Sequence, residues 1–263
     1  MQLNKAVGIV TGGANGFGKA FAERILNARG KVLITDIQEE KLAVTGKELQ
    51  QKYGKHNVLW MVQDVLDSDG FIRAFDLAAK YFEQPVNLLV NNAGIAGNMA
   101  FFSSDMSDVW KKVIDIDLTS VIRGTQVAIQ KMKDLPKGPE GVVVNIASFA
   151  GLGVIPWGPV YAAAKGGVVH FTRSCFPYKQ QFGVRVVSIC PAYADTAMGR
   201  TAMEHGVEDV KRSGLMPVEE VVDAFVQSVE DPNNCGRALR VSHGHRSYHV
   251  FPGDKKRYPN AKL

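Results

Sequence analysis

The sequence contains little cysteine and lacks long apolar runs. Its 263 residues include three cysteines, Cys175, Cys190 and Cys235, which are far apart and odd in number. This spacing argues against a disulfide framework and against a cysteine-based zinc site, and it favours a reducing compartment. No stretch approaches the roughly eighteen apolar residues of a membrane-spanning helix, and the N-terminus runs into a strand-like segment instead of a signal peptide. We therefore expect a cytoplasmic protein without a membrane span.

The chain also has little excess charge of either sign. Its 31 Lys and Arg residues against 26 Asp and Glu residues give a net charge of +5. Much of the excess lies near the C-terminus, in Lys255, Lys256, Arg257 and Lys262. A basic chain end differs from a basic binding face, and no recognised nucleic-acid-binding module accompanies it. We expect no nucleic-acid partner.

Apolar segments of strand length are abundant, and they alternate with segments of helical length. Hydrophobic residues make up 46% of the chain. Its length of 263 residues suits one large α/β domain but is short for two. We place this domain at residues 1–250 and a basic tail at 251–263. Several strand-like runs are almost continuously apolar, as expected when helices cover both faces of a sheet. The alternation predicts a single-domain, Rossmann-type doubly wound parallel sheet.

The predicted elements follow from this alternation. We predict strands at residues 6–10, 31–35, 58–62, 88–90, 142–146, 185–190 and 238–241. We predict helices at residues 18–29, 39–53, 70–82, 109–133, 161–181 and 217–229. The segment 193–218 carries Met198, Met203, Leu215 and Met216 among polar residues. It either covers a substrate as an adaptable apolar loop or forms an ordinary pair of surface helices.

Glycines cluster where the first predicted strand meets the first predicted helix, within the sequence TGGANGFG at residues 11–18. Glycine permits a tight turn and close backbone approach, so a pyrophosphate can lie on the free N–H groups of the helix N-terminus. Asp36 ends the second strand-like run, where it can accept hydrogen bonds from a ribose and repel a 2′-phosphate. Ala14, Asn15 and Ile37 supply no cation for such a phosphate. Taken alone, these residues also fit a simple turn and a helix-capping carboxylate.

Three polar side chains are candidates for proton chemistry. Tyr161 and Lys165 are four residues apart and share one face of a predicted helix, so the ammonium can favour the phenolate. Ser148 follows the strand predicted at 142–146, at the end of the sheet where ligands of α/β folds bind. In isolation, the pair fits a packed tyrosine beside a solvated lysine, and Ser148 fits a helix cap. The combination favours an active site.

In combination, these motifs resemble the classical short-chain dehydrogenase/reductase family. The resemblance extends from about residue 5 to about residue 242 and is strongest to the NAD-dependent hydroxyprostaglandin dehydrogenase branch. It rests on residues 11–18, Asn91-Asn92-Ala93-Gly94, Ser148, Tyr161-Ala-Ala-Ala-Lys165, and Pro191 with Thr196.

The resemblance implies roles for these residues. Tyr161 would take the proton of a substrate alcohol, Ser148 would orient the same oxygen, and Lys165 would hold the nicotinamide ribose. Asp64 with Val65 would meet the adenine, Asn91 with the Ala93-Gly94 backbone would line the adenosine side, and Pro191 through Thr196 would contact the nicotinamide end. It also implies a homodimer or homotetramer. The full set expected to bind NAD is Gly12, Asn15, Gly16, Phe17, Gly18, Asp36, Ile37, Asp64, Val65, Asn91, Ala93, Gly94, Tyr161, Lys165, Pro191, Ala194 and Thr196.

Two residues depart from the family pattern. Asp117 stands where relatives usually have an asparagine. If ionised near Lys165, it would stabilise the ammonium and weaken the effect of that charge on Tyr161, or it could accept a relayed proton. We expect activity to survive with an altered pH profile. Ala192 replaces a frequent glycine, with little loss expected unless the backbone there needs a positive φ.

Histidines near the C-terminus and the last three residues have weaker interpretations. The spacing of His243, His245 and His249 could suit a metal, but no nearby carboxylate or cysteine completes the set, so we expect them to pack in the tail and predict no metal. Ala261-Lys262-Leu263 resembles the peroxisomal address SKL. In a eukaryote this motif would direct the protein to peroxisomes; otherwise it is a solvated tail.

The predicted function is NAD-dependent interconversion of a secondary alcohol and a ketone. Leu152, Val154, Ile155 and Trp157 favour a hydrophobic substrate such as a lipid, steroid or terpenoid alcohol. Trp157 fits either a wall of the substrate site or the core. The alternative is an NAD-binding regulatory protein with weak or no turnover, which Asp117 alone suggests.

Overall fold

The computed structural model describes residues 1–97, 108–135 and 140–254. Its strands are β1 (Val7–Thr11), β2 (Lys31–Asp36), β3 (Val58–Val62), β4 (Leu88–Asn91), β5 (Gly141–Ile146), β6 (Val184–Pro191), β7 (Ala238–Ser242) and β8 (His245–Tyr248). Its helices are α1 (Gly16–Asn27), α2 (Glu39–Tyr53), α3 (Gly70–Phe82), α4 (Val109–Ile114), α5 (Ser120–Met132), α6 (Pro159–Ser174), α7 (Tyr178–Phe182), α8 (Ala197–Glu204), α9 (Glu208–Ser213) and α10 (Val218–Glu230).

One eight-stranded sheet organises the fold, in the order β3-β2-β1-β4-β5-β6-β7-β8. All neighbouring pairs are parallel except β7 and β8. Both faces are covered by helices: Phe21 of α1 contacts Phe225 of α10 on one side, and Phe71 of α3 packs with Val127 of α5 on the other. Burial on both faces explains the continuous apolar runs. The predicted single-domain doubly wound fold is confirmed.

The sheet topology creates a crevice beside β1. From β1 the chain continues outward to β2 and β3, and it then returns to place β4 on the opposite side of β1. The connections that leave β1 and β4 at their carboxyl ends therefore diverge. In open α/β sheets, ligands bind in the crevice at such a switch point.

Two predicted helices are each divided in the structure. The segment predicted as one helix at 109–133 forms α4 and α5, joined by a π-helical turn at Asp115–Thr119. Such turns occur often at functional sites. The helix predicted at 161–181 ends at Ser174, and α7 begins after Pro177, whose ring disfavours helical backbone in the preceding residue.

Strand β8 is absent from the sequence prediction. It is an edge strand that pairs antiparallel with β7. Its residues His245 and Arg246 are polar and exposed, so the segment lacks the alternating apolar pattern that predicts a half-buried strand. His243 pairs with Glu220, and the His249 ring lies 4.4 Å from that of Phe251. Within the described ranges, no group of three or more potential metal-binding side chains is assembled.

The segment 193–218 contains the short helices α8 and α9. Met216 is buried, whereas Met198 and Met203 remain partly exposed on α8. None of the helices in the described ranges has both the length and the apolar character required to cross a membrane. The predicted peroxisomal signal and the basic residues from Lys255 onward lie outside the described residues.

Candidate active site

The turn between β1 and α1 requires glycine at several positions. Gly12 and Gly16 adopt φ angles of +65° and +52°, in the left-handed region that favours glycine. A Cβ atom on Gly18 would lie 2.1 Å from the carbonyl oxygen of Gly12. Because no side chain intervenes at Gly18, a phosphate can approach the backbone N–H groups at the N-terminus of α1.

Buried hydroxyl and amide groups fix the glycine turn from behind. The Thr45 hydroxyl, on α2, donates to the Ala14 carbonyl at 2.7 Å. Asn92 donates from Nδ2 to the Thr11 carbonyl at 2.8 Å, and the Thr11 hydroxyl accepts from the Asn92 N–H at 3.0 Å. Sequence reasoning missed Thr45 and the role of the Asn92 side chain. The signal for Thr45 is a polar residue on the otherwise apolar buried face of α2.

Asp36 lies directly beside the glycine turn. Its carboxylate is largely buried and accepts hydrogen bonds from the Ala14 N–H at 3.1 Å and the Gln38 N–H at 3.0 Å. A carboxylate with one bond to each oxygen keeps further acceptor capacity. The geometry places Asp36 against the glycine turn, as the predicted nucleotide site requires.

The other residues expected on the adenosine side are distributed differently. Ile37 and Asp64 are exposed after β2 and β3, and the Asp64 carboxylate accepts from the Leu66 N–H at 2.9 Å. The Asn91 side chain, however, is buried beneath the crevice, where Nδ2 donates to Asn145 Oδ1 at 2.8 Å. It therefore anchors β4 to β5, and its side chain does not line the crevice.

Further residues of the predicted set surround the same turn. Asn15 is the exposed residue preceding α1, and the Phe17 ring stacks on Phe21. Val65, Ala93 and Gly94 are half-buried. Together with the glycine turn, they place the predicted motifs at the carboxyl ends of β1, β3 and β4.

The loop after β6 approaches the glycine turn from the other side. Pro191 ends the strand, and Thr196 caps α8 by accepting from the Gly199 N–H at 3.2 Å. A Cβ on Gly16 would lie 3.9 Å from the Thr196 methyl group. Ala194 is buried and forms a bridge with Met216. Ala192 does not have a positive φ. The backbone at this position therefore does not need glycine, and little loss is expected from alanine there.

Tyr161, Lys165 and Ser148 lie together after β5. Ser148 caps a short 3₁₀ turn by accepting from the Ala150 N–H at 3.1 Å, which agrees with the capping role considered from the sequence. Pro159 occupies the first turn of α6, and Tyr161 and Lys165 follow on that helix. The buried Lys165 ammonium donates to the Ile146 carbonyl at 3.1 Å and lies 5.7 Å from the centre of the Tyr161 ring.

Asp117 forms a buried ion pair with Lys165. Its side chain is fully buried at the π-helical turn, Oδ1 accepts from the Ile95 N–H at 2.8 Å, and Oδ2 lies 3.4 Å from Lys165 Nζ. Burial raises the pKa of Asp117 above its ordinary value, although Lys165 opposes the change. Burial lowers the pKa of Lys165, but Asp117 and Tyr161 together outweigh it, so this pKa lies above its ordinary value.

The balance of charges also affects Tyr161. Burial raises the pKa of its phenol above the ordinary value, Lys165 acts to lower it, and Asp117 acts to raise it further. The lysine effect expected from the sequence is therefore present, but burial and the carboxylate outweigh it. When ionised, Asp117 gives this cluster a negative charge that a neutral amide would lack.

The loop before α6 carries four apolar residues, Leu152, Val154, Ile155 and Trp157, which are referred to below as the apolar wall. Trp157 precedes α6, and its ring centre lies 6.3 Å from that of Tyr193, which follows β6. Leu152 and Ile155 are partly exposed, and Val154 is 89% exposed. The wall joins the loops that leave β5 and β6, next to Tyr161.

The comparisons with known proteins identify the family. Residues 6–206 match the model of the family described as short chain dehydrogenase, and the chain belongs to that family. It is 30% identical over 256 residues to the 15-hydroxyprostaglandin dehydrogenase [NAD(+)] of Macaca fascicularis, with 92% of each chain covered. It is 31% identical over 250 residues to 3beta-hydroxysteroid dehydrogenase 2 of Eggerthella lenta, covering 91% of this chain and 94% of the relative. The predicted resemblance is confirmed.

Solved structures agree with this assignment. Levodione reductase superimposes with a TM-score of 0.81 at 25% identity, covering 93% of this chain and 98% of that structure. A short chain dehydrogenase/reductase from Burkholderia phymatum, solved in complex with NAD, gives a TM-score of 0.77 at 25% identity, with 88% of each chain covered.

Proposed function

We propose that the protein is an NAD-dependent oxidoreductase that interconverts a secondary alcohol and a ketone. The observation that carries the proposal is the convergence of Ser148, Tyr161 and Lys165 beside a glycine turn at the same end of the sheet. The names of the relatives support it, since they include 15-hydroxyprostaglandin, 3beta-hydroxysteroid and cis-4-hydroxycyclohexanecarboxylate dehydrogenases.

The residues of the crevice fit NAD. The close approach of Gly18 to Gly12 leaves room at the helix N-terminus for a pyrophosphate, and Asp36 offers acceptor oxygens for ribose hydroxyls while repelling a 2′-phosphate. The NAD(+) in the names of the hydroxyprostaglandin relatives and the NAD complex of the Burkholderia protein also support this cofactor. When bound, NAD supplies the hydride acceptor for alcohol oxidation.

The remaining chemistry belongs to the side chains. Tyr161, as phenolate, accepts the proton of the alcohol, and the Ser148 hydroxyl orients the same oxygen. The Lys165 ammonium favours the phenolate and, by family resemblance, holds the nicotinamide ribose. Asp117 keeps Lys165 charged, at the expense of raising the pKa of Tyr161. This arrangement predicts alcohol oxidation that increases with pH as the phenol loses its proton.

The finer parts of the proposal concern substrate and assembly. The apolar wall formed by Leu152, Val154, Ile155 and Trp157 supports a hydrophobic alcohol or ketone of the lipid, steroid or terpenoid type. We also propose a homodimer or homotetramer in the cytoplasm, from the family resemblance and the small number of cysteines. If the source is a eukaryote, the C-terminal Ala261-Lys262-Leu263 favours peroxisomes instead.

Two measurements test the proposal together. NAD and NADP are titrated by protein fluorescence, and a panel of secondary alcohols is screened for the absorbance of reduced cofactor. The proposal predicts tighter binding of NAD than of NADP, together with turnover of hydrophobic secondary alcohols. Tight NAD binding without turnover of any alcohol would favour a regulatory protein in which the Asp117–Lys165 pair suppresses catalysis.

A further inference from the structure

The Trp157 indole N–H is buried without a hydrogen-bond partner. No acceptor among the described residues lies within hydrogen-bond distance of Nε1. An indole nitrogen donates but cannot accept, so the group can be satisfied only by an acceptor that approaches it. Leaving such a donor unpaired is unfavourable, and a native structure with an orphaned polar group calls for a specific explanation.

The position of Trp157 connects this donor to the reaction. It lies four residues before Tyr161, immediately before α6, and its ring faces the loop after β6 through Tyr193. The preceding residues of its loop, 152–156, have the sequence LGVIP and contain no side-chain acceptor. Among the side chains of residues 152–157, the indole nitrogen is the only polar atom.

We propose that Trp157 determines specificity by donating a hydrogen bond from Nε1 to a second oxygen of the substrate, apart from the oxygen held by Ser148 and Tyr161. The inference rests on the proposed function and deepens it. The substrate class is a hydrophobic secondary alcohol that carries a further acceptor, such as a carbonyl or carboxylate oxygen. An alcohol without that acceptor leaves the buried donor unpaired and is a poorer substrate.

Matched pairs of alcohols test this inference. Benzoin is compared with diphenylethanol, in which a methylene group replaces the carbonyl, and mandelate is compared with phenylethanol, in which a methyl group replaces the carboxylate. The wild-type enzyme is expected to favour the acceptor-bearing member of at least one pair by about tenfold in kcat/KM. The pair with the larger preference identifies the acceptor as carbonyl or carboxylate.

The variant Trp157→Phe keeps an aromatic face and removes the N–H. It is expected to lower kcat/KM about tenfold for the preferred acceptor-bearing alcohol and to change its acceptor-free partner less than about twofold. The affinity for NAD is expected to stay unchanged. Trp110→Phe is the control, because Trp110 is exposed on α4 and its loss is expected to leave both substrates unaffected.

The outcomes separate this inference from the proposed function. Turnover of secondary alcohols with no preference within either pair would overturn the role of Trp157 while leaving the oxidoreductase intact. A preference that persists in Trp157→Phe, or an equal loss for both members of a pair, would also overturn it. Failure of the wild-type protein to oxidise any alcohol would contradict the proposed function, and with it this inference.

Discussion

Replacement of Asp117 by asparagine should move the pH profile of alcohol oxidation to lower pH. With Asp117 and Lys165 both ionised, their charges cancel, and loss of the Tyr161 proton gives the buried cluster a net negative charge. In Asp117→Asn, loss of the same proton neutralises a cluster that began positive, which is easier in a buried site. Cys190, another titratable neighbour of Tyr161, stays neutral because burial raises its pKa to about 12.

The distances in the structure set the size of this effect. Lys165 Nζ lies 3.4 Å from Asp117 Oδ2 and 5.7 Å from the centre of the Tyr161 ring. The carboxylate is therefore at most about 9 Å from the ring, and a unit charge there contributes about 2 kcal/mol at an effective dielectric constant of about 20. Since about 1.4 kcal/mol corresponds to a tenfold change in a protonation equilibrium, kcat/KM should rise at least about tenfold on the acid side of the profile.

The assay is kcat/KM for oxidation of one alcohol with NAD across the pH range in which the enzyme remains folded. Asp115→Asn is the matched control, because it removes the same charge from an exposed position at the same π-helical turn and should leave the profile unchanged. An unchanged profile in Asp117→Asn would refute the reasoning, since it would mean that Asp117 carries no charge in the working range. A shift toward higher pH would refute its sign.

Three further substitutions test the fold and the cofactor site. Gly18→Ala should weaken NAD binding at least about tenfold in a fluorescence titration, because the added Cβ would clash with the Gly12 carbonyl oxygen. Gly166→Ala is the control: its Cβ would make only an ordinary van der Waals contact, so this variant should bind NAD as the wild type does. Asp36→Ala should reduce the preference for NAD over NADP at least about tenfold, and an unchanged ratio of dissociation constants would contradict its role. Arg185→Met removes a fully buried guanidinium bonded to Glu140, Ser228 and Val229, and it should cost about 3–5 kcal/mol in urea unfolding. Arg246→Met removes an exposed ion pair and should cost at most about 1 kcal/mol; similar losses in both would contradict this account.

Local sequence patterns predicted most of the sheet and the glycine turn. Apolar runs mark strands that are buried on both faces, and glycine followed by a helical segment marks the turn after β1, because both features depend on neighbouring residues. The helix predicted at 18–29 begins two residues earlier, at Gly16, and also ends two residues earlier, at Asn27. The ends of the predicted strands differ from the observed ends by at most one residue.

Features that depend on distant residues were beyond the sequence patterns. The π-helical turn that holds Asp117 differs from regular helix by its backbone bonding, with the Ser120 N–H bonded to the Asp115 carbonyl, and side-chain periodicity did not reveal it. The Asn91 side chain is buried and donates to Asn145, which lies 54 residues away. The amide pair does not follow from residue types alone, whereas the proximity of Asp117 to Lys165 was considered from the family resemblance.

The most direct test of the proposed function compares the wild-type protein with Tyr161→Phe on one secondary alcohol. The measurement is the initial rate of NAD reduction, with NAD affinity determined on the same samples. The proposal predicts that the variant loses at least about a hundredfold in rate while still binding NAD, because the proton acceptor is removed and the other residues expected to bind NAD remain. A variant that oxidises the alcohol at the wild-type rate would contradict the assignment of Tyr161 as the base.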